Sequence, residues 1–300
     1  MEASRARAQV LIAAVLFGTT GTAQAVGPAL EPLAVGAARI AVGAALLAGI
    51  ALACGAVRVG AGPRAVVLAG ACVAVYQASF FAALDHTGVA VGTVVAIGSA
   101  PAFAGLFARA FAGEALRARW AAATGLACAG VCLLVLGGGG ATGGEVSTTG
   151  VGLALVSGAG YAGYAVATKR MLDAGGAPEA IMATVFGVGA LMLLPVFALV
   201  PAGGLLAPGG IALALYLGAV PTALAYILFA RGLEQIGAGE TATLTLAEPL
   251  TAAILGVIAL GERPSVTAVA GAALVLSGLA VLALRPVRPR AATTPSEAHA

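Results

Sequence analysis

The sequence predicts an all-α integral membrane protein of ten transmembrane helices, arranged as two five-helix repeats inserted with opposite orientation. Three features lead to this fold: a composition too apolar for any soluble core, apolar runs of membrane-crossing length, and an internal duplication whose unit crosses an odd number of times. Of 300 residues, 61% are hydrophobic and 9% charged, and the mean hydropathy is +1.05. A soluble domain carries roughly 25% charged residues. The runs are about 17 to 25 residues long, which at about 1.5 Å per residue crosses about 30 Å of hydrocarbon.

Residues 8–26 form the first span, entered after Arg5 and Arg7. Its stretch from Val10 to Phe17, followed by Ala23-Gln24-Ala25, mimics a cleavable signal peptide, but removal would leave nine helices and an incomplete repeat, so it is read as a retained helix. Spans 33–54 and 64–84 follow, with Arg58 and Arg64 between them; then 91–112, which holds Arg109, and 119–137, preceded by Arg117 and begun by Arg119. Gly137 to Gly144 reads as a flexible connection, and Trp120 as an interfacial belt residue. The sixth span, 150–171, closes on Lys169 and Arg170; then come 178–200, 210–231 with Arg231 at its end, 238–259 and 265–285. Every span must be helical because lipid supplies no partner for backbone N–H and C=O groups, and the alternating segments of a membrane barrel are missing. The units are residues 1–137, a linker at 138–149, residues 150–285 and a tail at 286–300.

Short basic loops stay in the cytoplasm. With a cytoplasmic N-terminus, that side collects Arg5, Arg7, Arg58, Arg64, Arg109, Arg117, Arg119, Lys169, Arg170, Arg231, Arg285, Arg288 and Arg290, thirteen of the 15 basic residues. Arg263 is outside and Arg39 lies within the second span, so both termini are expected in the cytoplasm. The net charge of +3 is thus a topology signal, not a nucleic-acid footprint. Fourteen arginines against one lysine point to a GC-rich bacterial genome and a bacterial inner (plasma) membrane. Cys54, Cys72, Cys128 and Cys132 all fall in apolar runs and read as packing residues, not as a disulfide or metal framework.

An offset of 148 residues aligns Phe81 onto Phe229 without a gap, and with it Thr93 on Thr241, Pro101 on Pro249, Gly113-Glu114 on Gly261-Glu262 and Gly130 on Gly278. Because each unit crosses five times, the second copy enters from the opposite side. Arg117 and Arg119 accordingly become Ser265 and Thr267.

Leu16-Phe17-Gly18, Ala37-Ala38-Arg39, the run from Pro221 to Tyr226, Leu246-Ala247-Glu248-Pro249-Leu250 and Leu260-Gly261-Glu262-Arg263 together resemble an EamA-type member of the drug/metabolite transporter superfamily, over nearly the whole chain. Phe17 and Tyr161 stand where that family commonly has Trp. The resemblance implies ten helices, cytoplasmic termini, a central cavity between the repeats, and outward movement of small organic metabolites, commonly amino acids, aromatic ones among them.

Intramembrane polar groups are costly, so each needs a reason. Glu248, about ten residues into the ninth span, precedes Pro249, which deletes a backbone bond; it reads as a cavity carboxylate or pivot contacting an amine or proton, or as a packing fixture that bonds freed backbone groups. Arg39 is expected to snorkel or to pair with Glu31 or Asp85, with substrate carboxylate binding as the other reading. Pro101, Pro249, Arg39 and Lys169 are taken as gating or structural. Tyr161, Tyr164 and Thr168 share one helix face. With Tyr76, Gln77, Thr19, Thr222, Tyr226 and Glu248, the two tyrosines are the candidate substrate-binding set. So few charges suit a zwitterionic or neutral solute. No cofactor, metal or catalytic residue is expected, and no nucleotide-binding loop is present. Lipid is the expected surrounding partner, and the protein a monomer or homodimer. The leading function is secondary transport exporting small metabolites, neutral or aromatic amino acids foremost, by alternating access. Export of other organic solutes or drugs, an intramembrane enzyme, and a non-transporting scaffold are the alternatives; His86 and His299 sit far from any plausible catalytic partner.

Overall fold

The computed structural model describes residues 2–137, 147–201, 203–261, 263 and 265–283. Most of the expected linker at 138–149, the tail at 286–300, Glu262 and the side chain of Asp85 lie outside the described residues. The described chain is all helical: α1 Glu2–Val26, α2 Pro32–Ala53, α3 Pro63–Ala112, α4 Ala118–Gly137, α5 Thr148–Asp173, α6 Pro178–Leu193, a short α7 Val196–Leu199, α8 Pro208–Gly218, α9 Ala225–Gln235, α10 Ala238–Leu244, α11 Ala247–Leu260 and α12 Val266–Ala283. Among the described residues, six segments are long and apolar enough to cross a membrane: Glu2–Val26, Pro32–Ala53, Pro63–Leu84, Thr148–Asp173, Pro208–Gln235 and Ala238–Leu260. Four shorter apolar helices, Val95–Phe111, Ala118–Leu133, Pro178–Leu193 and Val266–Leu282, complete the order expected from the sequence. Large apolar side chains such as Leu68, Ile258 and Val269 point outward, as they do when the solvent is lipid.

The hydrogen-bonded helix α3 runs for 50 residues, which would reach about 75 Å if straight. It is not straight. A Cβ placed on Gly92 would lie 3.5 Å from the Cα of Leu84, whereas eight residues of straight helix separate atoms by about 12 Å. The chain therefore reverses between Leu84 and Gly92, and both legs pack on α5. Glycines on α5 allow this. Gly160 meets Cys72 and Tyr76 on the first leg, Gly158 meets Ala96 and Ser99 on the second, and Gly150 meets His86 and Thr87 at the turn.

Prolines mark the other irregularities. Pro221 has no amide for the Leu217 carbonyl, so the Thr222 hydroxyl donates to it at 2.7 Å and a π-helical stretch, Ala219–Leu224, joins α8 to α9. Pro249 likewise leaves the Thr245 carbonyl to the Glu248 amide at 2.9 Å, and the ninth span breaks between α10 and α11. The seventh span ends earlier than the sequence pattern indicates, at Leu193, because Pro195 stops α6 within an apolar run.

Without a hydrophobic drive between helices in lipid, close backbone contact holds such a bundle. A Cβ on Gly130 of α4 would lie 2.7 Å from the Gly271 carbonyl oxygen of α12, and one on Gly278 of α12 would lie 2.7 Å from that of Ala123 in α4. The Gly43 position of α2 approaches the Gly218 carbonyl to 3.3 Å, as Gly189 of α6 does that of Gly70. Trp120, in the first turn of α4, packs its ring against Gly105 and Gly239, and its indole nitrogen is buried without a partner.

Candidate functional site

Seven rings from five helices meet in the bundle centre. Phe17 comes from α1, Tyr76 from α3, Tyr161 and Tyr164 from α5, Phe186 from α6, and Tyr226 and Phe229 from α9. The pairs on α5 and α9 are three residues apart and so project from one face. Tyr226 sits at the hub, 4.3 Å from Phe186, 4.7 Å from Phe17 and 6.0 Å from Tyr164 by ring centroids. Tyr164 stacks on Phe229 at 6.1 Å and 22°, and Tyr161 meets Tyr76 edge-on at 5.9 Å. The hydroxyls of Tyr76 and Tyr226 share a hydrogen bond of 2.9 Å, and that of Tyr164 donates to Met182 Sδ at 3.4 Å. Each favourable ring pair adds about 0.5–1.5 kcal/mol beyond area burial.

The polar groups adjoin this cluster. Glu248 stands in the first turn of α11, partly exposed within the bundle, and its carboxylate interacts electrostatically with Arg39, Tyr76 and Tyr161. Its backbone carbonyl touches α1, where a Cβ on Gly18 would come within 2.7 Å. Of the two acids expected beside Arg39, Glu31 forms no ion pair with it among the described residues, and the Asp85 side chain lies outside them. Instead its Nη2 donates to Gln77 Oε1 at 3.2 Å.

Other expected residues sit elsewhere or are otherwise occupied. The Thr19 hydroxyl donates to the Leu16 carbonyl at 2.7 Å, and that of Thr222 is committed to Leu217. Pro101 lies buried in the second leg of α3, where Cys128 Sγ donates to the neighbouring Gly98 carbonyl at 3.1 Å. Thr168 is buried on the α5 face. Lys169 is at a helix end, bound to Asp173 Oδ1 and to the Glu234 carbonyl, both at 2.9 Å.

The sequence reading did not single out Phe186, Glu179 or Glu240, used Phe229 and Glu114 only as landmarks of the repeat, and noted Phe17 only in the family resemblance. At that end, which carries Arg5, Arg64 and Arg231, Arg7 of α1 meets Glu240 of α10 at 2.7 Å, and Arg231 of α9 meets Glu179 of α6 at 2.6 Å. The Glu114 carboxylate accepts from the Ala238 amide at 3.0 Å, and Arg119 of α4 donates to the Val281 carbonyl of α12. Every ion pair among the described residues is at this end. Two clefts of about 390 and 360 Å³ open here, and neither is lined by a ring of the central cluster.

Comparison with known proteins gives this geometry a context. Residues 6–136 and 148–284 each match the EamA-like transporter family. An uncharacterized transporter of Bacillus subtilis, YwfM, is 41% identical over 286 residues, covering 94% of this chain and 95% of its own length. A probable terminal-alkyne amino-acid exporter of Streptantibioticus cattleyicolor is 30% identical over 204 residues, 66% of each chain. A protein of known crystal structure superposes with a TM-score of 0.80 at 24% identity, over 92% of this chain and 95% of its own, and so shares the fold. The chain is a multi-pass membrane protein belonging to the EamA-like transporter family.

Proposed function

We propose that the protein exports small zwitterionic or neutral metabolites, amino acids with neutral or aromatic side chains foremost, by alternating access around the aromatic cluster. The carrying observation is that cluster: rings from five helices converge beside Glu248 at the centre of an otherwise apolar bundle. Ring faces accept apolar or aromatic side chains, and a carboxylate beside them accepts an ammonium. Tyr76, Gln77, Tyr161, Tyr164, Tyr226 and Glu248 line or adjoin the solute site in this reading, while Thr19 and Thr222 shape the helices around it. The amino-acid exporter among the relatives supports the solute class.

In this reading residues 1–137 and 150–285 are inverted repeats joined by the 138–149 linker, all ten apolar helices cross the membrane, and both termini face the cytoplasm of a bacterial inner membrane. Reciprocal packing supports the repeat relation. Gly130 meets Gly271 and Val275, whereas its counterpart Gly278 meets Ala123 and Ala127, which are themselves the counterparts of Gly271 and Val275 at the same offset of 148. The left-handed caps Gly113 (φ 66°, ψ 18°) and Gly261 (φ 69°, ψ 20°) are a second such pair. The ion pairs at the basic end support a conformation closed toward the cytoplasm. Pro101 and Pro249 are points at which half-helices tilt, and Arg39 and Lys169 tie helices during that change.

The test is flux in proteoliposomes of the purified protein across a panel of amino acids, aromatic ones first, with and without a proton gradient. The expected result is saturable flux of at least one neutral amino acid, largely lost in Glu248→Gln. Binding without flux overturns the transporter reading, and full activity of Glu248→Gln overturns the role of the carboxylate.

A further inference from the structure

Arg39 and Glu248 present an unusual arrangement. An arginine is charged in any protein environment, and a charge within a membrane span normally pairs directly with its opposite. Here the two groups act on each other electrostatically, yet neither belongs to any of the ion pairs formed within 4.0 Å among the described residues. Arg39 makes its one bond through Nη2 to Gln77, and its Nε is buried with no partner. Gln77 is 3% exposed, and its Nε2 donor is also without a partner. Two adjacent unsatisfied donors, one of them on a permanent cation, therefore stand apart from a partly exposed carboxylate, with Tyr76 and Tyr161 within electrostatic reach of that carboxylate as well. Buried polar groups are mostly satisfied, so two open donors side by side, one on a cation, call for an explanation, and a ligand that completes their bonding supplies one.

We propose that Arg39, Gln77 and Glu248 form a two-ended clamp for an α-zwitterion, the Arg39 and Gln77 donors taking the solute carboxylate and Glu248 its ammonium. This deepens the transporter reading above and rests on it. Two-sided recognition also rejects the nearest competitors: an organic anion gains Arg39 but meets the Glu248 charge, and an organic cation gains Glu248 but meets Arg39. Only a solute carrying both charges satisfies both ends. The aromatic cluster then reads the side chain, which fits neutral solutes with apolar or aromatic groups.

The experiment uses the full-length protein in proteoliposomes and three matched probes: phenylalanine, phenethylamine, which lacks the carboxylate, and 3-phenylpropionate, which lacks the amine. Leucine with its decarboxylated and deaminated analogues forms a second set. The expected result is that the amino acids are transported and each one-charge analogue competes at least tenfold more weakly. Arg39→Gln is expected to weaken the amino acid and to narrow or reverse its advantage over the amine, while Glu248→Gln narrows its advantage over the acid. A role for Arg39 in packing alone would lower all three probes together. Amino-acid flux with equal competition by the amine or the acid overturns the clamp and leaves the transporter reading standing; failure of the whole amino-acid panel to move overturns both. If Arg39→Gln does not fold, the analogue series on the natural protein decides.

Discussion

Replacing Gly130 or Gly278 by Ala tests the packing of α4 on α12, and the geometry sets the size of the effect. Each added Cβ would meet a backbone carbonyl oxygen at 2.7 Å, and backbone nitrogens at 2.5 Å for Gly130 and 2.9 Å for Gly278. Neither neighbour is a flexible side-chain end, so the helices must separate by a few tenths of an ångström or more over several turns. Overpacking of this kind costs about 1–3 kcal/mol. Alanine returns up to about 1 kcal/mol of helix propensity relative to glycine, which leaves a net loss of about 1–2 kcal/mol at each site. On a chain of this size that corresponds to a fall of about 2–8 °C in Tm. Gly125, on the same helix with nothing within 4 Å of its added Cβ, is the control and is expected to gain from the same change. The assay is thermal unfolding of the purified protein in detergent. A rise in Tm for Gly130→Ala equal to that of Gly125→Ala would refute the close crossing, and a loss at one glycine without the other would refute its reciprocity.

Tyr226→Phe removes the hydroxyl bonded to Tyr76 and leaves a buried partner unsatisfied, so a loss of about 1–3 kcal/mol is expected with the ring packing intact; an unchanged Tm contradicts it. Arg231→Met and Glu179→Gln are expected to show a coupling of about 1 kcal/mol or less in a double-mutant cycle, because the arginine is 48% exposed; strict additivity of the two changes would show that the pair contributes nothing. Cys54 is exposed at the end of α2 and the other three cysteines are shielded. A membrane-impermeant maleimide should therefore label it in inside-out vesicles and spare it in intact cells; the reverse pattern would invert the topology.

The helices were legible because the bilayer imposes one length and one chemistry on every crossing. The same rule hid the end of α6, since residues past Pro195 remain apolar and only the missing amide stops the helix. In the site, Tyr161 and Tyr164 could be placed on one face from their spacing alone. Phe186 carried no signal, because a phenylalanine in so apolar a chain is ordinary until its neighbours from α5 and α9 are known. Arg39 and Gln77 stand 38 residues apart, so their bond depends on how α2 meets α3, which no local pattern encodes. Thr222 is a candidate substrate-binding hydroxyl by sequence, and the adjacent proline gives it a carbonyl to bond. The packing of Trp120 on Gly105 of α3 and Gly239 of α10 is likewise set by how separate helices meet, which the residue's place at the start of a span does not encode.

The hydroxyl bond between Tyr76 and Tyr226 has a consequence for the cell's energy supply. A bacterial plasma membrane stores its proton-motive force as a gradient that any continuous file of water through a protein would dissipate. The two tyrosines come from opposite halves of the chain and satisfy each other amid rings, so neither hydroxyl calls for a water partner. In the transport reading proposed above, that contact acts as an electrical seal that opens for each solute and re-forms behind it, so the dwell time of that single bond bounds how much ion leak accompanies every turnover.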